Sequence, residues 1–222
     1  MKQLQPKKLE PIQLIVLKLV ANSSLSSMFY LSGGTTLSAF YLHHRYSEDL
    51  DFFSETEFDP TTVTTFFKSQ RPSIQYQSLD IQNSFNRFLV FLHLPMNKVL
   101  KTEFTYYPFP RIERDNQYHQ LDIDSLIDIG TNKLFTIAQK PRSRDFIDLY
   151  YILKSAKFTL PDLYRLAKIK FDWQIDPLQL LSRFTQIDAS DFSMIYKPLK
   201  VVTVRAFFEK QLLNFSDQIL KK

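Results

Sequence analysis

The chain has 222 residues, 44% of them hydrophobic and 23% charged, which suits a globular protein of one large or two small domains. It has no cysteine, so disulfides, thiolate metal sites and cysteine nucleophiles are excluded. A net charge of +5 is compatible with a polyanionic partner but too slight to require one. The 21 phenylalanines and 11 tyrosines are more rings than a core can be expected to bury, so some are expected to line grooves or a partner surface.

In chain order, the N-terminal run PIQLIVLKLV is interrupted by Gln13 and Lys18. It is too short and too charged for a membrane span, and no cleavage signal follows, so a cytoplasmic protein without membrane attachment is expected. Residues from about 9 to 21 read as a helix with Leu14, Leu17 and either Val20 or Val16 on one stripe. SMFYLS (27–32) reads as a strand entering a turn at Gly33-Gly34, which holds two of the chain's three glycines. TTLSAFYLHHR follows as a helix and DLDFFS as a second strand. Asp59-Pro60 is the cap and first-turn pair of a further helix. SIQYQSLDIQ, NRFLVFLHL and NKVLKTEFTYY are strand-like, which brings the expected mixed sheet to about five strands. PFPRIERDNQYHQ reads as a linker or loop. After Asp124 five helical patterns follow, so the organisation is α+β, with a sheet domain over 1–124 and a helical bundle over 125–222.

Residues i and i+2 of a strand share a face, so Asp49 and Asp51 project together. Two close carboxylates repel each other unless a cation lies between them, and Mg²⁺ or Mn²⁺ takes such oxygen ligands while keeping water and phosphate oxygens. Glu103 in KTEFTYY supplies a third ligand if its strand lies beside DLDFFS, and three carboxylates suit a two-metal phosphoryl-transfer site. A strand–glycine–helix turn exposes backbone N–H groups and a helix N-terminus to phosphate, so Gly33, Gly34 and Thr35 read as a triphosphate cradle. Arg45 and Ser47 can add donors to the same phosphates. Each signal alone is commonplace; the ordered set strand–GG–helix–R-x-S-x-D-x-D is much more specific.

LSGGTTLSAFYLHHRYSEDLDFF resembles the first motif of the AbiEii/AbiGii-type nucleotidyltransferases, a family that includes the MenT-type toxins and lies in the DNA polymerase β-like superfamily. DSLIDIGTNKLFTIAQKPRSRDFIDLYYIL resembles the family's second block. The two blocks frame residues 31–153. The resemblance implies a nucleotidyltransferase sheet domain whose active-site cleft is completed by the helical half. It implies transfer of a nucleoside monophosphate from an NTP, with Asp49 and Asp51 on the metals. It places Lys133 on the nucleotide phosphates and Asp145 near the nucleotide or acceptor. The implied acceptor is an RNA hydroxyl such as the tRNA 3′ end, and the setting a toxin–antitoxin or phage-defence system with a cognate antitoxin. A Gly-Gly turn in place of the superfamily's usual Gly-Ser, and Glu103 in place of an Asp, are departures from the pattern.

Plainer readings exist for each residue. Periodicity alone makes Lys133 a solvated lysine off its helix stripe, and Asp145 a first-turn acid favoured by the helix dipole. Asp148 fits a buried structural acid. His44 falls on an apolar stripe and is expected to be packed, His43 to be exposed. Tyr106, Tyr107 and Phe109 can stack on a base or simply pack under the linker. A transferase acting on a small molecule or protein, and a silent binding module of the same fold, are the alternative functions.

Overall fold

The computed structural model describes residues 1–155, 158–174 and 176–220. The chain forms two compact units, one of Met1–His43 with Ser47–Ser125 and one of His44–Tyr46 with Leu126–Lys222.

In the first unit, strands β1 (Lys2–Gln3), β2 (Tyr30–Ser32), β3 (Leu50–Ser54), β4 (Ser78–Ser84), β5 (Arg87–Leu94), β6 (Lys98–Tyr106), β7 (Asn116–Tyr118) and β8 (Leu121–Ile123) make one mixed sheet. Its order is β1-β7-β8-β2-β3-β6-β5-β4. β5 shows why one face closes: Phe88, Val90, Leu92 and Leu94 are buried, while the alternating Leu89, Phe91 and His93 are half-buried on the other face. The closed face shares a core with helices α1 (Pro11–Ala21) and α3 (Pro60–Ser69) through Val16, Leu17, Val63 and Phe67. Phe104 lies at its centre, stacked on Phe52 at 4.9 Å and edge-on to Phe29 at 5.0 Å. Asp59 caps α3 by accepting from the Thr61 N–H at 2.8 Å.

Among the described residues the sheet has eight strands rather than about five. β1, β7 and β8 are two or three residues long, too short to show an alternating pattern, and β7 lies inside the stretch expected to be a linker or loop. Side chains on the polar segment hold it in place. Arg111 donates to Asp122 at 2.7 Å, pairs with Glu55, and lies 4.5 Å from the centre of the Tyr30 ring. The run expected to start a strand at Ser73 instead makes a one-turn helix, α4 (Arg71–Ile74).

Beyond β2 the chain turns into α2 (Gly33–Thr36), which widens into a π-helical turn over Leu37–Leu42. The His43 N–H closes it on the Ser38 carbonyl at 2.9 Å, with His43 itself left-handed at φ 50°.

The second unit is built from α5 (Leu126–Gln139), α6 (Ser143–Ser155), α7 (Leu160–Lys170), α8 (Pro177–Arg183) and α9 (Val201–Leu220). Gly130 permits close packing of α5, since a Cβ there would lie 3.3 Å from Leu163 and 3.4 Å from Ile152. Lys170 and Asp128 make a buried ion pair at 2.7 Å between α7 and α5. Phe146, Phe184 and Phe208 join α6 to the C-terminal helices. The three-residue segment His44–Tyr46 pairs with this unit: the Tyr46 N–H donates to the Met194 carbonyl at 2.8 Å, and the Tyr196 N–H to the His44 carbonyl at 3.0 Å. Among the described residues, no helix is long and apolar enough to cross a membrane.

Candidate active site

β3 lies between β2 and β6, and the register sets Asp51 beside Ser32 on one side and Glu103 on the other. Asp49 precedes Asp51 by two residues and shares its face of the sheet, as Lys101 precedes Glu103. This is the face the core does not cover, and both aspartates are partly exposed.

The glycine turn sits directly against Asp51. Gly33 has φ +79°, and a Cβ built on it would fall 2.3 Å from Asp51 Oδ2 and 3.0 Å from its Cγ. Only glycine permits both the left-handed backbone and the carboxylate's approach. Other contacts fix the turn relative to the acidic strand. The Thr35 hydroxyl donates to the Asp49 carbonyl and lies 2.8 Å from the Ser47 hydroxyl. Thr36 donates back to the Ser32 carbonyl at 2.6 Å, and Ser32 donates to Asp124 Oδ2 at 2.6 Å. From α1, the Gln13 amide donates to the carbonyls of Ser47 and Glu48, each at 2.9 Å.

Two cations lie among the carboxylates. Lys101 Nζ is 2.9 Å from Asp49 Oδ2 and 3.5 Å from Glu103 Oε2. Arg87 on β5 grips Glu103 through both oxygens, at 2.5 and 2.6 Å. The Thr105 hydroxyl also donates to Glu103 at 3.1 Å. Burial disfavours the ionised Glu103, but Arg87, Lys101 and Thr105 outweigh it and hold the carboxyl below its usual range. Burial likewise works against the Lys101 ammonium, yet its bond to Asp49 and the surrounding carboxylates raise its pKa. Among the described residues no three acidic or histidine side chains are grouped so as to hold a metal ion. Asp49 and Asp51 supply oxygen donors of the kind a hard cation takes.

The helical unit holds a second charged cluster, centred on Asp148. Its carboxylate is fully buried and takes Arg45 through both oxygens at 2.7 and 2.9 Å, Lys133 Nζ at 2.7 Å and His44 Nε2 at 2.8 Å. Lys133 also donates to Asp145 at 2.8 Å, and Asp145 accepts from the Arg142 side chain and N–H. Burial would neutralise these acids. The charges of Arg45 and Lys133 instead hold Asp148 well below the usual carboxylate range, and those of Lys133 and Arg142 lower Asp145. Burial pushes the His44 pKa down, against the opposing effect of its bond to Asp148. Nε2 is the ring nitrogen that faces Asp148, and Nδ1 has no hydrogen-bond partner among the described residues.

A family model for the AbiEii nucleotidyl transferase toxin of type IV toxin–antitoxin systems matches residues 16–210. The chain belongs to this family. It is a nucleotidyltransferase. An uncharacterised protein of Aquifex aeolicus (strain VF5) is 32% identical over 172 residues, covering 74% of this chain and 77% of that one. The crystal structure of JHP933 from Helicobacter pylori superposes with a TM-score of 0.61 at 21% identity, over 95% of this chain and 91% of that one, and so shares the fold.

The sequence-predicted residues of this AbiEii-family chain fall into two groups. Gly33, Gly34, Thr35, Ser47, Asp49, Asp51 and Glu103 lie in the sheet unit, and the glycine turn meets the acidic strand there. Arg45, Lys133 and Asp145 lie in the helical unit, with Asp148 at the centre. Arg45 is 2% exposed and its guanidinium is bound to Asp148. Lys133 is buried rather than solvated. His43 spends Nδ1 on the Ser38 carbonyl at 2.8 Å. Tyr107 packs on Phe53 and Phe109, at 5.1 and 4.9 Å between ring centres. Three participants carry no motif. Gln13 reads in the sequence only as a polar interruption of an apolar run, and Lys101 and Arg87 as ordinary strand charges. The one available signal was alternation, which puts Lys101 on the same face as Glu103.

Proposed function

We propose that this enzyme moves a nucleoside monophosphate from an NTP to an RNA hydroxyl, with the tRNA 3′ end as the favoured acceptor. The observation that carries the reading is the apposition of Gly33 and Asp51, which joins a phosphate-turn geometry to an acidic strand. The turn offers backbone N–H groups to the triphosphate. Asp49 and Asp51 would hold the Mg²⁺ or Mn²⁺, which would supply electrophilic charge at the phosphates. Thr35, Ser47 and Gln13 fix the spacing of turn and strand, so the substrate meets an arrangement already in place. The acceptor hydroxyl gives up its proton to solvent and attacks the α-phosphorus in line, the α–β phosphoanhydride bond breaks, and pyrophosphate leaves. Arg45, Lys133, Asp145 and Asp148 act chiefly by holding α5, α6 and the His44–Tyr46 segment in register. In the cell the activity serves as the toxin of a toxin–antitoxin pair, acting in phage defence.

The test is incubation with each α-labelled NTP, Mg²⁺ or Mn²⁺ and total cellular RNA. Label is expected in RNA of tRNA size, and Asp49→Ala and Asp51→Ala should each lower it by about 10²-fold or more while the circular dichroism stays unchanged. Transfer retained in both variants would overturn the assignment. Label found only in protein or small molecules would reassign the acceptor.

A further inference from the structure

Three carboxylates suit a site that holds two divalent ions. Glu103 occupies the right register position for the third, opposite Asp51. Its two oxygens nevertheless accept from the fork of Arg87, at 2.5 and 2.6 Å, and Oε1 also accepts from Thr105 at 3.1 Å. Turning Glu103 onto a metal would break two charge-assisted hydrogen bonds. The space between Asp49 and Glu103 is also filled. Lys101 Nζ sits there, 2.9 Å from one carboxylate and 3.5 Å from the other, on a side chain that is 26% exposed.

On the reading above, that this face is the transfer site, we propose that Lys101 takes the place of a second divalent ion. The enzyme then works with a single metal on Asp49 and Asp51, and the Lys101 ammonium supplies the other positive charge toward the triphosphate. Lysine suits the role as a compact point charge on a long stem, one that can pivot from Asp49 to a phosphate oxygen without leaving the face. Glu103, clamped by Arg87, acts as a positioning residue for that ammonium and does not ligate metal.

Mn²⁺ binding followed by electron paramagnetic resonance, with a non-hydrolysable α,β-methylene NTP, tests this directly. The wild-type enzyme should bind one Mn²⁺ per chain in the nucleotide complex. Lys101→Ala should keep that stoichiometry or gain a second ion, and its nucleotide Kd should rise by about tenfold. Lys101→Arg should recover part of that loss, and thermal melts should show both variants folded. Two Mn²⁺ per wild-type chain would overturn the Lys101 role while leaving nucleotidyl transfer intact, as would an unchanged nucleotide Kd in a folded Lys101→Ala. No Mn²⁺-dependent nucleotide binding by the wild type would overturn both this role and the transfer reading.

Discussion

A single backbone position sets the chemistry of the acidic face. Gly33 is left-handed, and Asp51 occupies the volume a side chain would need. Gly33→Ala therefore carries both a conformational cost of roughly 1–3 kcal/mol and a displaced carboxylate. We expect kcat to fall further than stability does, measured by nucleotide transfer alongside urea denaturation. Full activity in a folded Gly33→Ala protein would show that the apposition is not needed. Gln13 works at the same scale. Its amide holds two consecutive carbonyls of the loop that feeds β3. Gln13→Leu should lower stability by about 1–3 kcal/mol through the unpaired carbonyls and loosen the spacing of turn and strand. Chemical denaturation and kcat should both register it. The glycine pair, the acidic pair and Glu103 were legible in the sequence because each is a residue type with a specific backbone or ligand chemistry. Gln13 was not, since a hydrogen bond across 34 residues leaves no local trace.

At the level of elements, helices and strands divide by how much they can be read without their neighbours. α3 announces itself through Asp59-Pro60, and β5 through alternation. β1, β7 and β8 have no pattern of their own and exist because each finds a partner strand. Periodicity also misjudged Lys133, placing it in solvent. α6 buries Asp145 and Asp148 beside it, and a buried lysine between two carboxylates costs less than a buried carboxylate pair alone. Asp148 is the centre of that arrangement, tying α6 to α5 and to His44–Tyr46. Asp148→Ala should leave Arg45 and Lys133 buried without it and cost about 3–5 kcal/mol in a denaturation midpoint analysis. A loss under 1 kcal/mol would show that water replaces the carboxylate.

For the whole molecule, these buried charges predict how stability follows pH. Asp145 and Asp148 have folded pKa values below their unfolded ones. Below about pH 4 the unfolded chain takes up protons that the folded one refuses, so this contribution is present above that pH and fades as pH falls toward the folded values. His44, also lowered, has the same sign at higher pH: below about 6.5 the unfolded imidazole binds a proton and the folded one resists. Urea midpoints should thus be flat near neutrality, decline below about pH 6.5 and fall steeply below about pH 4. His44→Phe should remove the upper step and also shrink the acid step, because it takes away the hydrogen bond that His44 gives Asp148.

What the sequence determined by itself was the chemistry available: an α+β chain without thiols, a glycine turn, an acidic pair two residues apart, and two blocks that mark a nucleotidyltransferase family. Those features are local, because periodicity, backbone permissiveness and ligand type are fixed within a few residues. Tertiary structure alone decided how that chemistry is deployed. It set the register of β3 against β6, put Asp51 under Gly33, gave Glu103 to Arg87, and collected Arg45 and Lys133 around Asp148. The physical reason is that charges in a low-dielectric interior choose partners by distance in space. Here those partners lie as far apart in the chain as Arg45 and Asp148, a separation no sequence pattern encodes.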